Sequence, residues 1–511
     1  MRILLRTISL GLSGLAVAAC STDPPVALKP AEMPSAFTAP ITKGDKAWPS
    51  ADWWTGFSSP ELTGLEVTAE RNNLDLAAAA ARVEQARGQT GLAASALFPT
   101  LDLQADASRA GSKQPTFGAG GAGAGGTHVG GTGPGHPQTV GTTGTGTTIN
   151  TVGNTFGVSL NASYELDFWG LAQDNLRAAQ NSARSALYAQ RVVGLTVTSD
   201  VANTYLDVLA LRDRIAIAKQ NVEAAQRILK ITEAKVTNGV SSNLDLAQQR
   251  AIVAQVESTI PALEEQEREA RYALAVLEGR APEGFDVQAQ TINGIVAPPV
   301  TPDMPSALLA RRPDIAEAEA NLIAAHANVD AARAAFLPAI GLTGSGGFAN
   351  PNIGSLFNPE SLAWSVGASL LQTIFDGGAK TSQLDINKGR EVELVADYRS
   401  TVFNALSDTE SSLGQVTSLA SQEAFVTEQV KNAAEAFRIS ELQYREGVAD
   451  LLAVLQTQQQ LFTAQDTLVQ IKLARLQAGV SLYRALGGGW TVDQDKEAPT
   501  RNDFNPLPIP L

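Results

Sequence analysis

A helical pattern without a break runs from Leu171 to Val236 and constrains the fold of this chain more than any other feature. Apolar residues recur there at intervals of seven, namely Val201, Val208, Ile215, Val222, Leu229 and Val236, with Leu211, Ala218 and Ala225 in a second position of the same repeat. Six heptads are typical of helices that pack as coiled coils. These 66 residues predict a helix about 100 Å long, which no compact domain of this size contains.

The second half of the chain repeats the organisation of the first half. Gly239 is matched by Gly447 and Gly170 by Gly378, in both cases 208 positions later. The second copy has its own heptad series, which consists of Val395, Val402, Val416, Val430, Phe437 and Tyr444 and is interrupted by Thr409 and Glu423. We therefore predict a tandem duplication, with repeat 1 at residues 60–270, repeat 2 at 306–490 and a Pro- and Gly-rich inter-repeat linker at 271–305.

A proline marks the point where each repeat changes from a helical to a strand pattern. Helix-forming sequence runs up to Phe336 and must stop at Pro338, and Pro99 occupies the corresponding position in repeat 1, 239 positions earlier. The larger spacing implies 31 extra residues in repeat 1. We assign them to the Gly- and Thr-rich tract Gly111–Gly153, which we expect to be a mobile extracellular loop between the first two strands.

Apolar residues alternate with polar ones in the strand segments of both repeats. The apolar face consists of Phe156, Val158, Leu160, Ala162, Tyr164, Leu166 and Phe168 in repeat 1, and of Trp364, Val366, Ala368 and Leu370 in repeat 2. Two strand pairs of membrane-spanning length are thus predicted. Lipid offers no hydrogen-bond partners to the backbone groups at an open strand edge, so a membrane sheet must close into a barrel. Because small barrels have at least eight strands, four strands per chain require several chains. The alternative is a soluble β-hairpin packed on helices.

The N-terminus reads as an export signal followed by a lipid attachment site. Arg2 and Arg6 precede a short apolar run, so residues 1–19 are interpreted as a signal peptide and not as a membrane span. The sequence VAAC ending at Cys20 resembles the bacterial lipobox, and Ser21 after it favours the outer membrane. The alternative is an ordinary signal peptide with an incidental cysteine. The flanking segments are a lipidated N-terminal region at 20–59 and a C-terminal tail at 491–511.

The composition argues against several classes of function. The formal net charge is −14, which disfavours nucleic acid as a partner. With three histidines (His128, His136 and His326) and one cysteine, a metal or redox site is not expected. The GAGGAG stretch at 118–123 fits G-x-G-x-x-G, but it follows no clear strand and opens no helix. We therefore expect no cofactor and no enzymatic activity.

Each long helix is followed by a turn and a returning helix. Gly239 and Gly447 suit the left-handed position at a helix C-terminus. Ser242 and Asp450, also 208 positions apart, suit the N-cap of the returning helix. We predict that these four residues mark the tips of two helical hairpins.

Two segments carry a family resemblance, RRPDIAEAEANLIAAHANVDAARAAFLPAIGLTGS from Arg311 and YREGVADLLAVLQTQQQLFTAQ from Tyr444. They resemble the outer-membrane efflux family, the TolC/OprM/NodT group, in its lipoprotein branch. The resemblance implies an α+β membrane protein, a homotrimer with a 12-stranded transmembrane barrel, four strands per chain, continued by a long α-helical coiled-coil-like periplasmic tunnel. The inter-repeat linker and the termini would form an equatorial region.

The resemblance also implies partners and a place in the cell. A lipid-anchored channel in the outer membrane would dock to a periplasmic adaptor (membrane fusion) protein and an inner-membrane pump. It would passively export small molecules, such as drugs, toxic compounds or metal ions, with the pump selecting the substrate. A conduit for type I protein secretion and a structural coiled-coil lipoprotein are the alternatives.

Family members close the tunnel with Tyr, Asp and Arg residues near the inner hairpin tips. By resemblance, Tyr444 takes the Tyr role and Asp245 the acidic position after the first tip. Gln456 and Gln459 stand where the family often has Asp and Arg, which argues against a strongly charge-paired gate. Asp245 reads equally well as a first-turn acid favoured by the helix dipole. Arg250 could face it at i+5 or across a helix.

Overall fold

Seven α-helices and four β-strands make up the part of the chain that the structure describes. The structure is a computed structural model that describes residues 34–39, 48–116, 147–298, 300 and 304–492. The elements are α1 (Pro60–Asn72), α2 (Leu74–Ser95), β1 (Thr100–Thr116), β2 (Thr147–Leu166), α3 (Leu171–Thr237), α4 (Asn243–Leu277), α5 (Pro313–Ala334), β3 (Ala339–Asn350), β4 (Leu362–Leu371), α6 (Ala379–Arg445) and α7 (Leu451–Ala485). Short 3-10 helices lie at Trp53–Phe57, Pro305–Ala310, Ile353–Ser355 and Pro359–Ser361.

Some sequence predictions fall outside the described residues. These are the signal peptide at 1–19, Cys20, the centre of the Gly- and Thr-rich tract with His128 and His136, and nearly all of the tail at 491–511. His326 is described: its Nδ1 lies 2.8 Å from Oε1 of the buried Glu391.

The helices of the two halves match in length and spacing. α3 and α6 have 67 residues each and begin at Leu171 and Ala379, 208 positions apart. α4 and α7 have 35 residues each at the same spacing. α2 and α5 have 22 residues each, 239 positions apart. All 31 extra residues of the first half therefore lie between the end of α2 and the start of α3.

The strands and helix ends differ in detail from the sequence predictions. β1 and β2 continue as a paired ladder to Thr116 and Thr147, so the predicted loop Gly111–Gly153 was wrong at both ends. The start of β2, which reads TTINT, suits extended pairing because β-branched residues favour strands. α5 ends at Ala334, two residues before the predicted end, since a turn closed by Leu337 N–H and Ala334 O precedes Pro338.

Two further element boundaries also differ from the sequence predictions. β2 ends at Leu166 and does not reach Phe168, whose N–H donates a 2.8 Å hydrogen bond to the Leu166 carbonyl in a tight turn. α4 continues to Leu277, which is inside the segment 271–305 that we interpreted as linker. Its apolar residues Leu274 and Ala275 are fully buried, so core packing extends the helix beyond the predicted boundary.

The four strands form one antiparallel sheet in the order β1-β2-β3-β4. One row of direct partners is Leu103, Leu160, Gly346 and Trp364, and all four lie on one face. The neighbouring row is Asp102, Asn161, Ser345 and Ser365. The sheet therefore has one apolar face and one polar face.

The described residues divide into two compact units. The first unit consists of the described residues in Met1–Ala93, Asp174–Arg333 and Gly378–Leu511. The second unit consists of those in Ala94–Gln173 and Ala334–Gly377 and contains the sheet. In the first unit the largest core surrounds Tyr205, and its members include Trp53, Phe57, Leu274 and Tyr483. Trp53 stacks on Tyr483 with ring centroids 5.2 Å apart. Burial raises the pKa of the Tyr483 hydroxyl to about 12.

The heptad prediction holds better for α6 than for α3. In α6, Val395, Val402, Phe437 and Tyr444 are all buried. In α3, the buried series beyond residue 215 is Ala218, Asn221, Ala225, Ile228 and Thr232, whereas Val222, Leu229 and Val236 are only half-buried. The predicted leading position was therefore wrong there. Ala224 and Ile228 belong to one buried cluster with Phe437 and Phe462 of the second half, so packing against that half decides which positions of α3 are buried.

Within the described ranges, none of the helices has the length and apolar character needed to cross a bilayer. The same residues include no group of three or more His, Cys, Asp or Glu side chains placed to hold a metal ion.

Candidate functional site at the hairpin tips

The two long helices end in closely similar turns. Gly239 has φ +72° and Gly447 has φ +80°, which is the left-handed region that glycine adopts without strain. Val240 N–H donates to Lys235 O at 2.8 Å, and Val448 N–H donates to Gln443 O at 2.8 Å. These are the Schellman hydrogen bonds that satisfy carbonyls at a helix end.

The returning helices are capped by side chains. Ser242 Oγ accepts from Asp245 N–H at 3.1 Å, and Asp245 Oδ2 accepts from Ser242 N–H at 3.0 Å, which makes a reciprocal capping box. Asp450 Oδ1 accepts from Ala453 N–H at 3.0 Å. The hydroxyl of Ser241 and the N–H of Ser242 lower the pKa of the Asp245 carboxyl below its ordinary value, so this acid stays ionised in its capping role.

Asp245 and Arg250 are not paired with each other. Arg250 Nη2 lies 3.1 Å from Oε1 of Glu233, on the facing helix α3. Asp245 is occupied by Ser241 and Ser242. In the single chain, the geometry therefore favours the interpretation of Asp245 as an acid of the first helical turn. Arg250 forms an ion pair within its own hairpin.

Tyr444 joins the two hairpins. Its side chain is buried on α6, and its hydroxyl lies 3.0 Å from the hydroxyl of Thr232 on α3. Lys235 Nζ lies 4.7 Å from the centroid of the Tyr444 ring. Sequence reasoning missed Thr232, although it lies seven residues beyond Ala225 and so continues the second heptad position. The tie between the hairpins at this level is a neutral hydrogen bond.

Gln456 and Gln459 both lie on an exposed part of α7. Gln459 Nε2 donates to Thr463 Oγ1 at 3.2 Å, one turn along the same helix. The buried glutamine of this segment is Gln458, which is 1% exposed and whose side chain has no hydrogen-bond partner among the described residues. Among the described residues, neither predicted gate residue forms a hydrogen bond with another helix.

Farther from the tips along α3, a series of polar contacts connects this helix to the second hairpin. Arg214 Nε lies 2.7 Å from Asp466 Oδ1, and Gln477 Nε2 donates to Asp207 Oδ1 at 2.9 Å. Arg227 Nε lies 3.6 Å from Glu441 Oε1. The side chains at these contacts are partly exposed, so each ion pair stabilises the association by a modest amount, about 1 kcal/mol or less.

A shallow groove separates the two tips. It has a volume of about 470 Å³ and is lined by Lys235, Asn238 and Val240 of the first tip and by Arg445, Glu446 and Gly447 of the second. Apolar side chains project beside it at equivalent positions of both repeats. They are Val240, Leu244, Val448 and Leu452, with exposed fractions of 70, 65, 77 and 59%.

Comparison with known proteins decides the family. The family model for the outer membrane efflux protein matches residues 67–280 and 304–488. The chain belongs to the outer membrane efflux protein family. It is therefore an outer-membrane efflux channel protein and is located in the outer membrane. The members of its family are channel proteins.

Individual members of this family resemble the chain along nearly its whole length. It is 36% identical to the pyoverdine export outer membrane protein OpmQ of Pseudomonas aeruginosa over 501 residues, which is 98% of this chain and 100% of OpmQ. It is 29% identical to the cation efflux system protein CusC of Escherichia coli O6:H1 over 481 residues, 93% of this chain and 97% of CusC. Among solved structures, the outer-membrane channel OprN matches with a TM-score of 0.79 and 25% identity, covering 90% of this chain and 98% of OprN.

Proposed function

We propose that three copies of this efflux-family chain form the outer-membrane conduit of a tripartite efflux system. Their sheets would close a 12-stranded barrel, and their long helices would form a periplasmic tunnel. One observation carries the proposal: the sheet exposes an apolar face and has two open edges. Small molecules would leave through this conduit, driven by a pump elsewhere.

The apolar face is too hydrophobic to remain in water. On β4, Trp364, Val366 and Leu370 are 76, 80 and 67% exposed, and on β1, Leu101 and Leu103 are 65 and 74% exposed. Exposed apolar patches of this kind mark surfaces that meet another protein or a membrane. Alternating apolar and polar residues, with the apolar set outward, are the pattern of a membrane strand.

The open edges call for further copies of the chain. In the part of the chain that the structure describes, β1 pairs only with β2 and β4 only with β3. Unpaired backbone groups are costly in lipid, so a membrane sheet must close on itself. Four strands are half of the minimum for a small barrel. Pairing β1 of one copy with β4 of the next satisfies both edges, and three copies give twelve strands.

The hairpin tips support docking of a periplasmic adaptor. Val240, Leu244, Val448 and Leu452 present apolar surface at equivalent positions of both repeats, and the groove between the tips adds a concave surface. Because these four side chains remain exposed in the chain itself, they suit a partner of complementary apolar character. The gate just above would use the Tyr444–Thr232 tie.

The relatives suggest the range of cargo. One is named for pyoverdine export and another for cation efflux, so small molecules and ions are the cargo class that we propose. A lipid on Cys20 would anchor the mature chain beside its barrel. Mass spectrometry of the mature N-terminus tests this directly, and an unmodified residue there would contradict it.

A pair of neighbouring substitutions tests the barrel. Trp364→Lys places a charge on the apolar face, which costs about 2–4 kcal/mol at the bilayer midplane. Ser365→Lys places the same charge on the polar face one residue away. We expect Trp364→Lys to reduce the folded trimer in the outer membrane, measured by native mass spectrometry of detergent extracts, and Ser365→Lys to leave it nearly unchanged. Equal amounts of trimer for both variants, or a monomer in the wild type, would contradict the proposed barrel.

A further inference from the structure

One side of α2 is exposed from Leu74 to Leu92, opposite the side that carries the buried residues Ala79 and Val83. Its members recur at heptad spacing and are all exposed, and we call them the α2 stripe: Leu74, Ala78, Ala81, Gln85, Gly88 and Leu92. Leu74 and Leu92 at its two ends are 72 and 74% exposed. Large apolar side chains exposed at this spacing are typical of a helix that packs on another helix.

A matching set lies on α6, opposite the side that carries the buried residues Val395 and Val402. Its members are also exposed and heptad-spaced, and we call them the α6 stripe: Ile386, Gly389, Glu393, Ala396, Ser400 and Phe403. Ile386 and Phe403 at its ends are 63 and 54% exposed. The ends are about 26 Å apart along α6, against about 27 Å in the α2 stripe. Both stripes thus have the same length, with large apolar residues at the ends and mostly shorter ones between them.

We propose that the α2 stripe of one copy packs antiparallel against the α6 stripe of the next copy. The inference rests on the proposed trimer, in which β1 of one copy pairs with β4 of the next. Only residues 96–99 separate α2 from β1, and only residues 372–378 separate β4 from α6. With such short connections, α2 of one copy and α6 of the next lie side by side. Their directions are opposite, because α2 leads into its strand and α6 leads away from its strand.

The two stripes are complementary when one helix is reversed. Leu74 then lies close to Phe403, and Leu92 lies close to Ile386, so the four most exposed side chains of the stripes cover one another. The glycines and alanines between them allow the two helix axes to approach closely, since the side chains at a contact set the distance between helices.

One charged residue beside each stripe supports the same arrangement. Arg82 directly follows Ala81, and Asp397 directly follows Ala396. Arg82 and Asp397 are exposed, and neither forms an ion pair or a side-chain hydrogen bond with another described residue. In an antiparallel helix pair, residues on the same flank of the two stripes face each other, so Arg82 of one copy meets Asp397 of the next. This pair of opposite charges fixes both the choice of neighbour and the direction of packing.

Cysteine cross-linking tests the contact directly. Ala81→Cys and Ala396→Cys in the full chain place two thiols at facing positions, and oxidation in outer-membrane fractions should join copies into covalent dimers and trimers. Ala81→Cys with Ala434→Cys is the matched control, because Ala434 is exposed on α6 but lies about 57 Å from Ala396 along the helix. The wild type, whose single cysteine is Cys20, gives the background. Monomers alone in the first variant, or equal cross-linking in both variants, would overturn the inference.

Exchanging the two charges tests their role. Arg82→Glu or Asp397→Arg alone should lower the ratio of trimer to monomer at low salt by about threefold or more, because like charges then meet at each of three contacts. The two changes together should restore the wild-type ratio, as measured by native mass spectrometry. Arg87→Glu is the control and should change the ratio little, because Arg87 pairs with Glu84 of its own helix. No recovery in the double variant would overturn the role of the charge pair.

These results separate the helix contact from the proposed trimer. A trimeric wild type without a cross-link between positions 81 and 396 would leave the trimer standing and overturn this contact alone. A monomeric wild type would contradict the trimer itself, and the contact with it.

Discussion

Asn73 Nδ2 donates a 2.8 Å hydrogen bond to the carbonyl of Leu277, the last residue of α4. Arg312 Nη1 donates to the carbonyl of Ala485, the last residue of α7, at 3.0 Å. The two donors are 239 positions apart and the two acceptors 208, which are the spacings of the repeats. Both contacts tie the end of a returning helix to the residue that precedes a 22-residue helix. The two halves of the chain thus make an equivalent contact with different residues.

A glycine beside the second of these contacts should be intolerant of substitution. Gly487 has φ +88°, and a Cβ there would collide with the carbonyl oxygen of Arg311. Gly487→Ala should therefore lower the thermal unfolding midpoint by several degrees more than the left-handed backbone alone would, which costs about 1–2 kcal/mol. Gly284→Ala is the matched control, because Gly284 has φ +76° with open space around it. Equal midpoints for the two variants would mean that the collision contributes nothing.

A buried acid should make stability depend on pH. Glu66 of α1 is fully buried, and neither carboxylate oxygen has a hydrogen-bond partner among the described residues. Burial, with a smaller contribution from the charge of Glu70, raises the Glu66 pKa well above 4.5. The unfolded chain therefore releases this proton at a lower pH than the folded one. Stability should fall as the pH rises above about 4.5, until it levels off above the folded pKa.

Two substitutions isolate that effect. Glu66→Leu should remove this part of the pH dependence and raise the unfolding midpoint most at alkaline pH, as measured by thermal scans between pH 5 and 9. Glu283→Gln, at an exposed position, serves as the control and should follow the wild type. The same slope in Glu66→Leu and wild type would show that Glu66 does not control the pH dependence.

The Tyr444–Thr232 tie should hold the resting tip closed without much response to salt. Thr232→Val removes a buried neutral hydrogen bond, worth about 0.5–1.5 kcal/mol, and preserves the shape of the side chain. We expect a higher resting conductance in planar bilayers, with a ratio to wild type that changes little with ionic strength. Thr237→Val is the control, because Thr237 is exposed and its hydroxyl bonds, among the described residues, only to Glu233 O of its own helix. A resting conductance equal to that of Thr237→Val would exclude a role for Thr232 in closure.

Restoring the family charges on α7 should change that response. Gln456→Asp with Gln459→Arg replaces neutral side chains by charged ones, whose hydrogen bonds are worth about 1.5–3 kcal/mol. Both positions are exposed in the single chain, so the charges would act on partners in a neighbouring copy. We expect a lower resting conductance at low salt that rises as salt is added. If conductance and salt response equal those of the wild type, the two glutamines are ordinary surface residues.

Much of the secondary structure was predictable because its signals are local. The helix predicted from Leu171 to Val236 begins at Leu171 and ends one residue later than predicted, at Thr237. Its two ends were predictable because a long heptad pattern and a C-terminal glycine define them. The strand ends at Thr116 and Thr147 were not predictable, because pairing between the two segments stabilises them and a Gly-rich composition conceals that pairing. Hydrogen-bonded ladders depend on the partner strand, which a single segment does not reveal.

The hairpin tips show the same division between local and distant signals. The turn glycines and N-caps act within four residues, and their geometry is readable from sequence. The partner of Tyr444 lies 212 positions away, and a threonine in a heptad position carries no mark of a hydrogen bond to a particular tyrosine. Arg250 was ambiguous for the same reason, since its partner Glu233 is across a turn whose rotation the sequence leaves open.

The equal lengths of the paired helices have an evolutionary consequence. α3 and α6 contact each other near their ends through Thr232 and Tyr444, so the two tips are side by side. A deletion or insertion in one 67-residue helix would shift its tip along the other and misalign every contact between them. Changes of length there can be inherited only as matched pairs, one in each repeat. The stretch between β1 and β2, at 117–146, is already longer than its counterpart between β3 and β4, at 351–361, so the two repeats change length independently there.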